Sequence, residues 1–77
     1  MNDVPVTEVD ARGLDCPMPL LKAKRALNTM ASGEQLRVLA TDSGSQRDFR
    51  VFAEQSGHRL LASDVDGDVY RYLLQKS

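Results

Sequence analysis

The stretch GLDCPMP (residues 13–19) is where the chain changes from a strand-like pattern to a helix-like pattern. Before it, residues 6–11 alternate apolar and polar side chains, which predicts a first strand. After it, apolar residues recur at the spacing of a helix and predict one buried stripe. The residues of that stripe are Leu20, Ala23, Ala26, Leu27 and Met30.

The remaining chain contains signals for three more strands and one more helix. Ser45 and Asp48 have the spacing of a capping box, so we expect Ser45 to open a second helix that Gly57 ends. The pair Asp66-Gly67 favours a tight hairpin turn. The second strand, the second helix and the two hairpin strands are predicted over residues 35–41, 45–56, 59–65 and 68–75. The buried stripe of the second helix is predicted to be Phe49, Phe52, Ala53 and Ser56.

The predicted element order is β-α-β-α-β-β. Strand-helix-strand units favour right-handed parallel crossovers, and a closing hairpin adds an antiparallel edge. Both helices should then pack on one face of a mixed sheet of four strands. This is a two-layer α/β sandwich, formed by one domain over residues 1–77, with residues 1–5 expected to be a flexible terminus.

Composition excludes several classes of function. The 77 residues are 42% hydrophobic and 27% charged, and the net charge of −1 offers no bulk positive field for nucleic acid. The apolar runs are far too short to cross a bilayer, and the N-terminus lacks a signal-like segment. One cysteine cannot form an internal disulfide, which fits a reducing compartment. We therefore expect a soluble, cytoplasmic protein.

Cys16 is the only cysteine, and it has two interpretations. A lone cysteine is often a small buried hydrophobe. Cys16, however, lies at or next to the predicted N-cap of the first helix, where backbone N–H groups and the helix dipole favour an anion. Such a position predicts a lowered thiol pKa, although the neighbouring Asp15 acts in the opposite direction.

The residues around Cys16 suit an exposed, oriented thiol. Pro17 fits the first helical position and Pro19 the tolerant first turn, so the two rings would stiffen the backbone beside the sulfur. Gly13 permits a turn that other residues resist. Met18 and Leu21 lie off the core stripe, where they could form a docking surface, or they could belong to the core if the first turn is irregular.

The missing partners of Cys16 limit its chemistry. A cysteine hydrolase needs a base, and no acid or amide is evidently arranged to orient His58, the single histidine. Disulfide redox chemistry needs a second thiol, and a Cys/His metal site would lack ligands, so we expect no metal and no cofactor. A single thiol can still exchange sulfur, holding it as a covalent persulfide on Cys16.

Charged residues suggest a second functional surface. Lys22, Lys24 and Arg25 cluster on the first helix, and Arg47 and Arg50 follow on the second. This basic face could dock an acidic partner, or it could be an ordinary solvated helix surface. Asp48 is expected to cap the second helix, with partner contact as a further possibility.

The stretch D-A-R-G-L-D-C-P-M-P-L-L-K (residues 10–22) resembles the Gly-Leu-x-Cys-Pro-x-Pro signature of the TusA/SirA-like sulfur-carrier family. The resemblance extends from about Val9 to Lys76. It includes the pair Arg47-Asp48, the pair Gly57-His58 and the closing run at residues 70–72.

The resemblance implies a sheet with strand order 1-2-4-3 and a role for Cys16. In this family the cysteine accepts persulfide sulfur from a cysteine desulfurase or a rhodanese-type donor and passes it to an acceptor protein. The best-known branch ends in tRNA 2-thiolation; others serve sulfur oxidation, molybdenum-enzyme maturation or selenium metabolism. Such a protein is a covalent carrier rather than a stand-alone enzyme.

Two hypotheses from other classes stay open at this point. The motif could be purely structural in a regulatory or interaction module. Alternatively, a compact α/β sandwich could bind RNA, although the negative net charge argues against direct binding and Tyr70 and Tyr72 fit packing on the sheet better than base stacking.

Overall fold

The computed structural model describes residues 6–77, so the prediction for residues 1–5 lies outside the described part of the chain. The elements follow the predicted order. They are β1 (Val6–Ala11), α1 (Met18–Asn28), β2 (Gln35–Ala40), α2 (Ser45–Ser56), β3 (Arg59–Asp66) and β4 (Val69–Gln75). No helix in residues 6–77 is long and apolar enough to cross a membrane.

The four strands form one mixed sheet in the order β1-β2-β4-β3, as the family resemblance implies. β1 pairs in parallel with β2, with Val9 opposite Val38 and Ala11 opposite Ala40. β4 is antiparallel to both β2 and β3. A parallel pair needs a crossover between its strands, and α1 supplies it.

The core lies between the sheet and the two helices. Alternate residues of β2 and β4 and the predicted stripe of α1 point into it, as the two periodicities require. The rings of Phe49 on α2 and Tyr72 on β4 stack with centroids 4.5 Å apart. The buried core residues are Ala11, Ala23, Leu27, Met30, Leu36, Val38, Ala40, Phe49, Ala53, Tyr72 and Leu74. Leu20, Ala26, Phe52 and Tyr70 pack against it in part.

α1 begins one residue later than predicted. Pro17 occupies the N-cap with φ −97° and ψ 14°, instead of the first helical position, and Met18 opens the helix. Pro19 lies in the first turn, as predicted, and is buried. At the other end α1 stops at Asn28, two residues before Met30, which still reaches the core.

α2 corrects the predicted capping box. Gly44 is the N-cap, and no side chain caps the helix. The Ser45 hydroxyl is buried and shares a hydrogen bond of 2.6 Å with the Tyr72 hydroxyl, so Ser45 does not serve as a cap. Asp48 does not cap either, because its carboxylate is engaged elsewhere, as described below. Ser56, predicted in the buried stripe, is exposed and accepts a hydrogen bond from the His58 N–H.

Glycine residues lie at the end of α2 and in the turn between β3 and β4. Gly57 ends α2 in the left-handed conformation, with φ 83°, and its N–H donates to the Ala53 carbonyl. The hairpin pairs Asp66 with Val69, so its two loop residues are Gly67 and Asp68, one position later than the predicted pair Asp66-Gly67.

The hydrogen bond between Ser45 and Tyr72 gives a test of the core. Tyr72→Phe should lower the free energy of unfolding by about 1–2 kcal/mol, because it leaves the buried Ser45 hydroxyl unpaired. Combining it with Ser45→Ala removes both polar groups, so the double variant should lose clearly less than the sum of the two single losses. Urea unfolding of the four proteins measures this coupling, and strictly additive losses would contradict it.

Candidate functional site

The site forms at one edge of the sheet, where the parallel strands β1 and β2 both end. The chain leaves β1 toward α1 and leaves β2 toward α2, so the two connections lie side by side. The Gly13 N–H donates to the Thr41 Oγ1 at 2.9 Å and joins them. Gly13 has φ 80°, a conformation that costs an L-residue about 1–2 kcal/mol. This agrees with the predicted need for glycine in the motif.

Cys16 is exposed in the first of these connections, one residue before the N-cap of α1. The peptide bond between Cys16 and Pro17 is cis. The first turn of α1 offers few donors to the sulfur, because Pro17 and Pro19 have no N–H and the Met18 N–H donates to the Asp15 carbonyl at 2.8 Å. The helix N-terminus therefore has fewer free donors than the prediction of a lowered thiol pKa assumed.

The partner of Cys16 is the first turn of α2. The Cys16 Sγ donates a hydrogen bond to the Asp48 Oδ2 at 3.0 Å. This bond raises the pKa of the Cys16 thiol above its ordinary value, and desolvation and the charges of Asp48 and Asp42 raise it further. The predicted direction was wrong, because a carboxylate faces the sulfur where backbone N–H groups were expected.

Asp42 is a third member of the site that sequence reasoning missed. It lies two residues after the end of β2, and its Oδ2 is buried without a hydrogen-bond partner. One ligating atom each from Cys16, Asp42 and Asp48 lie within 4.8 Å of one another. A Cβ at Gly44 would come within 3.1 Å of the Asp42 Oδ2, so glycine leaves room for this carboxylate.

The sequence did contain a signal for this cluster. Parallel strands end at the same edge of a sheet, so residues that follow β1 and β2 are expected to meet there. Cys16 follows β1, Asp42 follows β2, and Asp48 lies one helical turn into α2. The capping-box spacing predicted a backbone partner in α2 for Asp48, whereas its observed partner is Cys16 in the neighbouring connection.

The same three residues offer the atoms that a metal ion would need, but they are a poor match for zinc. Structural zinc sites use four ligands, mostly thiolate and imidazole, and catalytic sites use three protein ligands. Here one thiol with a raised pKa accompanies two carboxylates. The expected absence of a metal stays a prediction.

A groove of about 300 Å³ between the two helices adjoins the site through Asp48. Its apolar side chains come from both helices, and the Lys24 Nζ lies 5.6 Å from the centroid of the Phe52 ring. Lys24 is thus placed along the groove. The lining residues are Leu20, Lys24, Arg47, Asp48, Val51, Phe52 and Gln55.

The predicted docking residues are on the surface. Met18 and Leu21 are each 43% exposed, which removes the alternative that they belong to the core. The cationic side chains Lys22, Arg25, Arg47 and Arg50 are also exposed. The structure therefore brings apolar and basic side chains to the surface of the two helices that flank Cys16.

Other chemistry-bearing residues have contacts that do not involve Cys16. The His58 ring lies against Phe52, and its Nδ1 accepts a hydrogen bond from the Ser77 N–H at 3.1 Å. Asp64 accepts hydrogen bonds from Arg71 on the neighbouring strand. Tyr72 is fully buried, which leaves its ring unable to stack on a base.

Comparison with known proteins identifies the family of the chain. The family model for the sulfurtransferase TusA matches residues 7–76. The chain belongs to the TusA family. It is 50% identical to the sulfur carrier protein TusA of Allochromatium vinosum over 91% of this chain and 92% of that protein. The putative sulfur carrier protein YrkI of Bacillus subtilis is 41% identical over 88% of this chain and 91% of its own length.

A solved structure supports the TusA-family fold. The crystal structure of a SirA-like protein from Desulfitobacterium hafniense superposes with a TM-score of 0.79 at 26% identity, covering 91% of this chain and 95% of that one. The two-layer α/β architecture with strand order 1-2-4-3 is thus common to both. By sequence and by fold, this chain is a member of the TusA family of sulfur carriers.

The hydrogen bond from Cys16 to Asp48 makes the titration of the thiol testable. Because Asp48 raises the pKa of the Cys16 thiol, alkylation by iodoacetamide should accelerate with a midpoint above that of an ordinary cysteine. Asp48→Asn should move the midpoint to lower pH. The rate of alkylation followed by mass spectrometry across the neutral and alkaline range measures it.

Asp15→Asn is the matched control for that measurement. It removes a carboxylate beside Cys16 in sequence that does not contribute to the thiol's pKa shift, so it should leave the midpoint in place. A midpoint that stays fixed or rises in Asp48→Asn would show that the carboxylate does not control the thiol.

Proposed function

We propose that Cys16 accepts sulfur from a persulfide on a donor protein, holds it covalently, and yields it to an acceptor protein. The observation that supports this most directly is an exposed lone cysteine, hydrogen-bonded to Asp48, in a member of the TusA family. An exposed sulfur at the molecular edge is accessible to the thiol of a second protein. A buried structural cysteine would not be.

The transfer itself is a thiol-exchange reaction. The Cys16 sulfur attacks the outer sulfur of the donor persulfide, a new S–S bond forms, and the donor sulfur leaves with the electron pair of the broken bond. In sum, Cys16–SH and R–S–SH give Cys16–S–SH and R–SH. No oxidant, reductant or separate cofactor enters the balance, so the persulfide is the only group that the carrier needs.

Donor and acceptor are proposed to dock on the helical surface beside Cys16. Met18 and Leu21 provide apolar contact area close to the sulfur. Lys22 and Arg25 on α1 and Arg47 and Arg50 on α2 add exposed positive charge to the two helices, which fits an acidic partner. A cysteine desulfurase or a rhodanese-like protein is the proposed donor class.

We propose that the sulfur carried by Cys16 is finally used for the 2-thiolation of tRNA. This transfer is proposed to take place in the cytoplasm, where reducing conditions preserve a free thiol. Sulfur oxidation, molybdenum-enzyme maturation and selenium metabolism are the alternative destinations. Deleting the gene should remove 2-thiouridine from tRNA, and complementation with Cys16→Ser should fail to restore it. Unchanged 2-thiouridine in the deletion strain would exclude this destination while leaving the carrier function in place.

The carrier function is tested by direct transfer of labelled sulfur. The protein is incubated with a cysteine desulfurase and radiolabelled cysteine, and separately with a rhodanese and labelled thiosulfate. We expect label on the wild-type protein, its release by a reductant, and complete loss in Cys16→Ser. Absence of label with both donor classes would overturn the proposal.

The Cys16→Ser variant also separates the carrier from its rivals. An interaction module would keep its cellular function in this variant. An RNA-binding domain would keep a strongly salt-dependent affinity for RNA. Loss of cellular function together with loss of label would exclude both.

Charge reversal tests the docking surface. The double variant Lys22→Glu and Arg25→Glu should slow sulfur transfer from a desulfurase by roughly tenfold at low salt, because electrostatic attraction accelerates encounter. The deficit should shrink as salt is added. The control is Arg59→Glu, which reverses an exposed positive charge at the start of β3 and should leave the rate unchanged. Equal rates for the double variant and the control would contradict the proposal that partners dock on this surface.

A further inference from the structure

The hydrogen bond between Cys16 and Asp48 affects the loss of the thiol proton, which sulfur transfer requires. The thiol faces a carboxylate and loses its proton less readily than an ordinary cysteine. Attack on a donor persulfide, however, requires the sulfur to give up that proton as the new S–S bond forms. A proton acceptor in contact with the sulfur would remove the conflict.

We propose that Asp48 is the acid–base residue of the transfer, taking the Cys16 proton when sulfur is loaded and returning it when sulfur leaves. This rests on the proposed carrier function and assigns a reaction partner to its cysteine. The geometry supports it: the Asp48 Oδ2 lies 3.0 Å from the Cys16 Sγ, within the reach required of a general base.

The two half-reactions form a closed cycle. In loading, Cys16–SH, Asp48–COO⁻ and R–S–SH give Cys16–S–SH, Asp48–COOH and R–S⁻. In unloading, Cys16–S–SH, Asp48–COOH and an acceptor R′–S⁻ give Cys16–SH, Asp48–COO⁻ and R′–S–SH. Each step forms one S–S bond and breaks one, and each conserves protons and charge.

The unloading step explains why the returned proton matters. The leaving group is the Cys16 sulfur, and a thiolate with a raised pKa leaves slowly from a persulfide. Protonation by Asp48 as the S–S bond breaks converts it into a neutral thiol. One residue thus assists both directions, which suits a carrier that must accept and release the same cargo.

Asp42 completes the arrangement. Its Oδ2 is buried and has no hydrogen-bond partner, and one ligating atom each of Asp42, Asp48 and Cys16 lies within 4.8 Å of the others. A proton taken up by Asp48 therefore enters a cluster that holds a second carboxylate without a hydrogen-bond partner. His58 does not compete as a base, because its ring is engaged with Phe52 and Ser77.

The test measures loading and unloading in single turnovers with small-molecule partners, so that docking plays no part. Glutathione persulfide is the donor and dithiothreitol the acceptor, and mass spectrometry follows the gain and loss of one sulfur atom. Asp48→Asn should slow both steps by about a hundredfold or more at neutral pH. Asp15→Asn, the same change on a carboxylate outside the contact, should leave both rates unchanged.

Two features make this result specific. Removing the Asp48 charge lowers the thiol pKa and increases the thiolate fraction, so a slower transfer cannot arise from loss of thiolate. The loading deficit should also disappear as pH rises above the thiol pKa, because a thiolate needs no base. Loading by Asp48→Asn at the wild-type rate or faster at neutral pH would overturn the proposal.

A second pair of variants covers the case in which Asp48→Asn does not fold. Asp48→Glu and Asp48→Gln have equal length and differ only in the ability to take a proton, so the Glu variant should transfer sulfur faster at neutral pH. Equal rates would overturn the proposal. A wild-type protein that gains no sulfur from glutathione persulfide or from protein donors would instead overturn the carrier function itself.

Discussion

Parallel pairing of β1 with β2 is the constraint on which the site depends. Two parallel strands run in the same direction, so α1 must cross back over the sheet between them, and both strands end at the same edge. The connection that contains Cys16 therefore lies beside the connection that contains Asp42 and leads into α2. The bond from the Gly13 N–H to Thr41 holds the two together. An antiparallel pair would have placed these connections at opposite ends of the sheet.

This juxtaposition changes the electrostatics expected of a cysteine that precedes a helix. Backbone N–H groups usually stabilise a thiolate there. In this protein the two prolines remove N–H groups from the first turn, the Met18 N–H binds the Asp15 carbonyl, and a carboxylate from the next helix contacts the sulfur. Asp48 itself lies in the first turn of α2, where the helix dipole favours an acidic side chain.

A carrier cysteine works under different requirements from a catalytic nucleophile. It must give up its cargo as readily as it takes it, so strong stabilisation of either state would slow one direction. A protonated resting thiol also protects Cys16 from oxidation, since susceptibility follows thiolate character and exposure, and this sulfur is exposed. The raised pKa of Cys16 is thus compatible with transport of sulfur between proteins.

The sequence alone determined the elements, because periodicity of two and of 3.6 is a local property of the chain. The order of strands and helices, the α1 stripe, the end of α2 at Gly57 and the importance of the Cys16 motif all follow from residues close together in sequence. Tertiary structure decided the partners of the polar groups. Ser45 forms a hydrogen bond with Tyr72, 27 residues away in sequence, and Asp48 forms one with Cys16, 32 residues away. Local capping rules had instead predicted backbone partners in α2 for both Ser45 and Asp48. Tertiary structure also decided the protonation of Cys16, since a pKa depends on charges that only the folded chain brings into contact.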